Sequence, residues 1–268
     1  MTYADIVVDA TPSPTVRQTL EVAAEFAEVY GGRLSVAAFA WPQPSILNEA
    51  LLGSAGGSAL QALAFGEALE STQAVHDDIF AGRHVVSDWC SGISDPNLIL
   101  NEHLLTADLA IVGASASGQF AIADPTELSA RSGAPVLQIG SLRPRVPFRH
   151  VLVAWKDARE ARRSVHEALP LLRRAERVVV LGVGDEVSSE RLAQVAEHLS
   201  RHQVAATHLH LSKSAAGVFA QILQHAEAEG CDLLVSGAYS RPRYSERVFG
   251  GVTRELVQGL PMAWLLAH

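Results

Sequence analysis

Residues 107–113 read Ala107-Asp108-Leu109-Ala110-Ile111-Val112-Gly113, and residues 231–237 read Cys231-Asp232-Leu233-Leu234-Val235-Ser236-Gly237. Both carry Asp in second place, an apolar run behind it and Gly at the end. A short apolar run between such boundaries is the pattern of a buried strand in a parallel sheet. Finding it twice in one chain points to an internal repeat. Each copy then passes through Ala and a polar stretch into a helix-like segment. A last apolar strand follows a small residue and Pro. In the first copy this is Gly133-Ala134-Pro135-Val136-Leu137-Gln138-Ile139, and in the second Gly259-Leu260-Pro261-Met262-Ala263-Trp264-Leu265-Leu266.

Outward from these stretches the correspondence continues. Asp5-Ile6-Val7-Val8 and His150-Val151-Leu152-Val153-Ala154 each read as a buried first strand. Val16, Leu20, Ala23, Ala27 and Tyr30 recur at helical spacing behind the first, and Ala161, Val165, Ala168, Leu169 and Leu172 behind the second. Gly31-Gly32 ends the first of these helices. Second strands are expected at Leu34–Phe39 and Val178–Val183, further helices at Leu60–Ala81 and Ser188–His202, and third strands at His84–Asp88 and Ala206–Leu211. Each copy thus reads β-α-β-α-β-α-β-α-β. The fold class is α/β, with parallel strands and helices on both faces of the sheet. Ser141–Phe148, with two prolines and two arginines, is expected to be an extended, exposed linker, which sets the domains at 1–142 and 149–268.

Bulk properties agree with two globular domains. The chain has 268 residues, 48% hydrophobic and 19% charged, well away from a disordered composition. A formal net charge of -8 and the lack of a basic stretch with interleaved aromatics argue against nucleic acid as a partner. No apolar run reaches the ~20 residues needed to span a bilayer, so no membrane partner is expected. Met1-Thr2-Tyr3-Ala4-Asp5 lacks the basic start of a signal peptide, and Cys90 and Cys231 stand alone, far from any CxxC pair. A cytoplasmic protein is expected.

The sequence resembles the universal stress protein family over nearly the whole chain, as two copies, most strongly in residues 150–172 and 231–268. The likeness is carried by Leu233-Leu234-Val235-Ser236-Gly237-Ala238-Tyr239-Ser240, by Arg247-Val248-Phe249-Gly250-Gly251-Val252-Thr253-Arg254-Glu255-Leu256, and by Pro261-Met262-Ala263-Trp264-Leu265-Leu266. Val151-Leu152-Val153-Ala154-Trp155 leading to Arg159-Glu160-Ala161 is similar to tandem bacterial members. The resemblance is weakest over residues 41–105. It implies two doubly wound domains, each a five-stranded parallel sheet in the order 3-2-1-4-5, packed as a pseudo-dimer within one chain. It also implies a stress-linked regulatory role, with ATP, together with Mg²⁺, as the ligand of some members.

Members that bind ATP carry G-x2-G-x9-G-[S/T]. Glycines let backbone N–H groups approach phosphate, and the last Gly and hydroxyl open a helix whose dipole favours an anion. In the second copy Gly237 stands at the first glycine, Ser240 at the second, Gly250 at the third and Gly251 at the hydroxyl position, followed by Val252 and Thr253. Arg241, Arg243 and Arg247 are placed to line phosphates or to form a solvated loop. An Asp after the first strand contacts the nucleoside in the family. Here Trp155-Lys156 intervenes and Asp157 falls one residue late. The alternative for Gly237, Gly250 and Gly251 is that they serve only as turn residues. In the first copy Asp9 fits, but Gly113 leads to Ala114-Ser115-Ala116-Ser117-Gly118 and then to Ala123-Asp124-Pro125-Thr126-Glu127, where acids would repel phosphate. That copy reads as a degenerate site.

Other groups carry less. His198 and His202 share a helix face, and His208 and His210 a strand face, but surface histidines explain both pairs and no metal is expected. Ser87-Asp88-Trp89-Cys90 is expected just beyond the third strand, at the carboxyl edge, with Cys90 either a reactive thiol or a core residue; Cys231 reads as core. Gly53-Ser54-Ala55-Gly56-Gly57-Ser58 reads as a loop. No nucleophile elbow, phosphate-binding P-loop or Ser-His-Asp set is recognisable. Three functions therefore stand: a non-catalytic stress regulator with a nucleotide or anion site in the second copy, acting on a partner protein; a slow ATP-hydrolysing or small-molecule-binding enzyme; and a nucleotide-independent scaffold. A further homodimer is compatible with all three.

Overall fold

A computed structural model describes residues 2–43, 57–114, 118–238 and 260–268. The first half contains β1 (Asp5–Asp9), α1 (Val16–Tyr30), β2 (Arg33–Ala40), α2 (Gly57–Phe80), β3 (Ser87–Ile93), α3 (Pro96–His103), β4 (Leu109–Val112), α4 (Pro125–Ser132) and β5 (Val136–Gln138). The second contains β6 (His150–Ala154), α5 (Arg159–Leu172), β7 (Arg177–Val183), α6 (Ser189–Arg201), β8 (Ala206–Leu211), α7 (Val218–Ala228), β9 (Leu233–Gly237) and β10 (Ala263–Ala267). The ten strands among the described residues join one sheet in the order β3-β2-β1-β4-β5-β10-β9-β6-β7-β8. Each half is therefore 3-2-1-4-5, as expected. Within each half the strands are parallel. The halves meet through the antiparallel pair β5·β10.

The repeated Asp has a physical role in this topology. Asp108 accepts hydrogen bonds from the amides of Ala4 (2.8 Å) and Asp5 (3.0 Å), and Asp232 accepts from Arg149 (2.9 Å) and His150 (3.1 Å). Each carboxylate collects amides at the start of the half's first strand and fixes its register against the fourth. Alternating strand residues then feed two core layers. Ile6, Val8, Val151 and Val153 face the layer covered by α1, α2, α5 and α6, whereas Val7 and Leu152 face the one covered by α3, α4 and α7.

Gln138 and Trp264 sit three residues after Pro135 and Pro261, so they hold the same place in the two copies. They are also each other's partners across β5·β10. The pseudo-twofold axis relating the halves therefore runs between them. Trp264 is fully buried and donates its indole N–H to Ser236 Oγ at 2.8 Å. The Tyr3 hydroxyl donates to the Glu167 carbonyl (2.6 Å), and Arg163 Nη2 to the Gly133 carbonyl (3.2 Å), tying the halves further.

Three expectations need correction. β3 begins at Ser87, not His84, so Ser87, Asp88, Trp89 and Cys90 lie inside the strand instead of beyond its carboxyl end. Residues 83–86 lead from the turn after α2 into the strand, and the polar Ser-Asp-Trp-Cys-Ser-Gly run pairs with β2 along an edge where burial on both faces is not required. Gly57 and Ser58 belong to α2, so the loop assigned there does not extend that far; residues 53–56 lie outside the described part. The Ser141–Phe148 linker is exposed at Ser141, Leu142, Arg143 and Arg145, but Phe148 is fully buried and anchors the start of the second half.

Candidate functional site

In a doubly wound sheet, ligands settle outside the carboxyl ends of the strands, where the strand order reverses. In the second half that place lies between β6 and β9. Gly237 ends β9 there. A Cβ on it would stand 2.7 Å from both the Ala161 nitrogen and the Glu160 carbonyl carbon, so only Gly lets the first turn of α5 approach the strand end. This close packing is a structural demand on Gly237 that holds with or without a ligand. Ser240, Arg241, Arg243, Arg247, Gly250, Gly251, Val252 and Thr253 lie outside the described residues.

Beyond β6, Trp155 continues the ladder by donating its amide to Leu181 O (2.8 Å). Its indole N–H donates to Asp157 Oδ1 at 2.9 Å, and Arg191 Nε, from the first turn of α6, reaches Asp157 Oδ2 at 3.1 Å. Lys156 pairs with Glu186 at 2.5 Å. The Asp157 carboxylate is thus held on both oxygens by its own chain. Two ion pairs tie the loop after β6 to the loop after β7 and to the first turn of α6.

The first half differs at the corresponding edge. Asp124 is the N-cap of α4, with its Oδ1 accepting from the amides of Thr126 (2.8 Å) and Glu127 (3.2 Å), and Pro125 fills the first helical position. The helix N-terminus that would attract phosphate is already occupied by a resident carboxylate. Asp9 folds back to accept from the Thr11 amide at 2.9 Å, and burial pushes its carboxyl above the usual range against the lowering effect of its bonds to Thr11. Gly113 abuts Thr19, whose Oγ1 would be 2.7 Å from an added Cβ. Gly118 has open space around it. The structure thus brings Asp9 and Gly113 to the ends of the adjacent strands β1 and β4, with Asp124 closing the helix.

Elsewhere, Cys90 Sγ is half-buried, 3.6 Å from His103 Nε2 and 3.7 Å from Val36 O, and burial raises its thiol pKa. Cys231 is half-buried just before β9, with its thiol pushed up to about 11 by burial and by Asp232 and Glu229. His198, on α6, and His202, just past its C-terminus, meet edge to face at 4.7 Å, and His210 Nε2 lies 2.9 Å from the Gly184 carbonyl. Among the described residues no three His, Cys, Asp or Glu side chains are grouped to hold a metal ion. The fold does assemble one constellation that sequence reading missed: Ser87, His76 and Asp77. His76 lies on α2 and Ser87 on β3, so the contact is made across the α2–β3 turn and no spacing in the sequence signals it.

No family model matches the sequence, and no curated protein matches it. Solved structures do. A universal stress protein from Archaeoglobus fulgidus DSM 4304 aligns over 98% of this chain and 97% of its own, with a TM-score of 0.72 and 13% identity. A putative universal stress protein from Pseudomonas aeruginosa UCBPP-PA14 aligns over 99% of this chain and 93% of its own, with a TM-score of 0.58 and 16% identity. The chain therefore has the tandem two-domain fold of the universal stress proteins. No helix among the described residues is long and apolar enough to cross a membrane.

Proposed function

We propose that this protein is a regulatory member of the universal stress protein family. Its second half (149–268) is the ligand-binding half, and its first half (1–142) is a structural partner. It works in the cytoplasm, through a partner protein, without catalysing a reaction at the nucleotide site. The ligand is ATP with Mg²⁺ or another nucleotide or phosphate-type anion, held by the turn from Gly237 and Ser240 to Gly250-Gly251-Val252-Thr253, with Arg241 and Arg243 beside it.

The observation that carries this reading is the asymmetry between the halves. Asp124 caps α4 and would repel a phosphate, whereas the second copy has Gly250-Gly251 where the first has Asp124-Pro125. A scaffold without nucleotide is a second reading, favoured by the capture of Asp157 between Trp155 and Arg191. Assaying the supernatant of denatured protein for nucleotide, then titrating with ATP and Mg²⁺, separates them. Stoichiometric nucleotide, or binding that Gly250→Asp abolishes, supports the regulator. No nucleotide and no binding heat overturns it in favour of the scaffold.

A further inference from the structure

His76, on α2, is 7% exposed and packs against the rings of Phe80 (centroids 4.6 Å apart) and Trp89 (5.0 Å). Its two ring nitrogens are engaged separately. Nε2 lies 3.2 Å from Ser87 Oγ, and Nδ1 lies 3.0 Å from Asp77 Oδ1. This is the order hydroxyl, imidazole, carboxylate, with the nitrogens used as a nucleophile, base and orienting acid require. The two neighbouring aromatic rings, tilted 31° and 47° to the imidazole, restrict its rotation.

The backbone supplies the remaining element. Leu34 donates its amide to Val86 O at 2.9 Å, and Leu34 pairs with Ser87 in the parallel ladder. In such a ladder alternate residues of a strand turn both backbone groups to the same neighbour. Val86 O and the Asp88 amide therefore face β2, and the amides of Ser87 and Trp89 point the other way. β3 is the last strand of the sheet on that side, so these amides face its open edge among the described residues. A nucleophile's own amide is a normal contributor to an oxyanion site. Val86, 62% exposed, adds an apolar surface next to Ser87.

We propose that Ser87, His76 and Asp77 form a hydrolytic site, separate from the nucleotide edge, for short-chain carboxylic esters. Ser87 Oγ attacks the ester carbonyl carbon as its proton passes to His76 Nε2. The carbonyl electrons return, the C–O bond to the alcohol breaks, and the leaving oxygen takes the proton from His76. Water then attacks the acyl-Ser87 ester with His76 as base, releasing the carboxylic acid and restoring the hydroxyl. Ser87 and His76 are the catalytic residues. Asp77, whose side chain is 66% exposed, is a positioning residue that holds the tautomer with hydrogen on Nδ1.

The test is reaction of the full chain with a fluorophosphonate, located by peptide mass spectrometry, together with turnover of p-nitrophenyl acetate. Label on Ser87, and an acetate-release rate at least about 100-fold above that of Ser87→Ala, are expected from removal of an activated nucleophile. Because His76 is buried and its variants risk misfolding, Asp77→Asn is the second variant. It should slow labelling about tenfold or more and change its pH profile, with circular dichroism unchanged. An unlabelled Ser87, or turnover equal in wild type and Ser87→Ala, overturns the proposal. Labelling that Asp77→Asn leaves untouched overturns the role of Asp77.

Discussion

Gly140→Ala tests how firmly the two halves are joined. A Cβ at Gly140 would stand 2.3 Å from Met262 O and 2.5 Å from Pro261 O, both backbone atoms of the segment leading into β10. Neither is the tip of a flexible side chain, so the whole segment must retreat by about an ångström to reach ordinary contact distance. Two hydrogen bonds span this gap, from Ser141 N to Leu260 O (3.0 Å) and from Leu142 N to Pro261 O (2.9 Å). Losing most of both costs about 2 kcal/mol. Residual overpacking adds about 1 kcal/mol or more. At ~2.1 cal/mol/K per residue, a chain of 268 residues loses about 5 °C in Tm for ~3 kcal/mol. Thermal melts by circular dichroism should show that shift. Gly31→Ala is the contrast: its φ of 77° is strained for Ala, but the space around it is empty, so the cost is confined to ~1–2 kcal/mol of backbone strain. A Gly140→Ala Tm within about 1 °C of wild type would refute the close approach of the two halves.

Two further outcomes follow from the first half. Asp124→Ala removes the α4 cap and should destabilise by about 1 kcal/mol, read as a lower urea midpoint with an unchanged m-value. Asp9 has its folded pKa raised by burial, so its protonated form is favoured by folding. Its contribution to stability is fully present below the unfolded pKa and is lost as pH rises through the folded pKa. Asp9→Asn should therefore raise stability at pH 7 relative to wild type, and the difference should shrink as pH falls towards 4. A gap that widens on acidification would refute the burial argument.

Much of the architecture was legible because it rests on repetition and on runs of apolar residues. Both β4 and β9 could be placed from the shared Asp and Gly, and the role of that Asp, gathering amides at Ala4, Asp5, Arg149 and His150, explains why it recurs. The edge strand β3 was the hardest to place. With neither face fully covered, its Ser-Asp-Trp-Cys-Ser-Gly run carries no apolar alternation. The Ser87–His76 contact stayed hidden because it joins a helix position to an edge-strand position eleven residues on, across a turn that no spacing rule crosses. The capture of Asp157 was illegible for another reason. Arg191 lies thirty-four residues away, and only the meeting of the loops after β6 and β7 brings them together.

The meeting of Gln138 with Trp264 has a consequence for how such a chain can change. In a dimer of identical subunits, a residue on the twofold axis faces its own copy, so whatever stands there must fit against itself. Two tryptophans or two glutamines would have to share the same space. Joining the copies in one chain removes that demand. One copy can then fill the axis with a large indole bonded to Ser236, while the other offers a slimmer amide. The same freedom extends to the carboxyl edges of the sheet. In a symmetric pair a change at one edge is made at both, whereas here a helix N-terminus of the first half holds Asp124 while the corresponding place in the second copy's sequence carries Gly250.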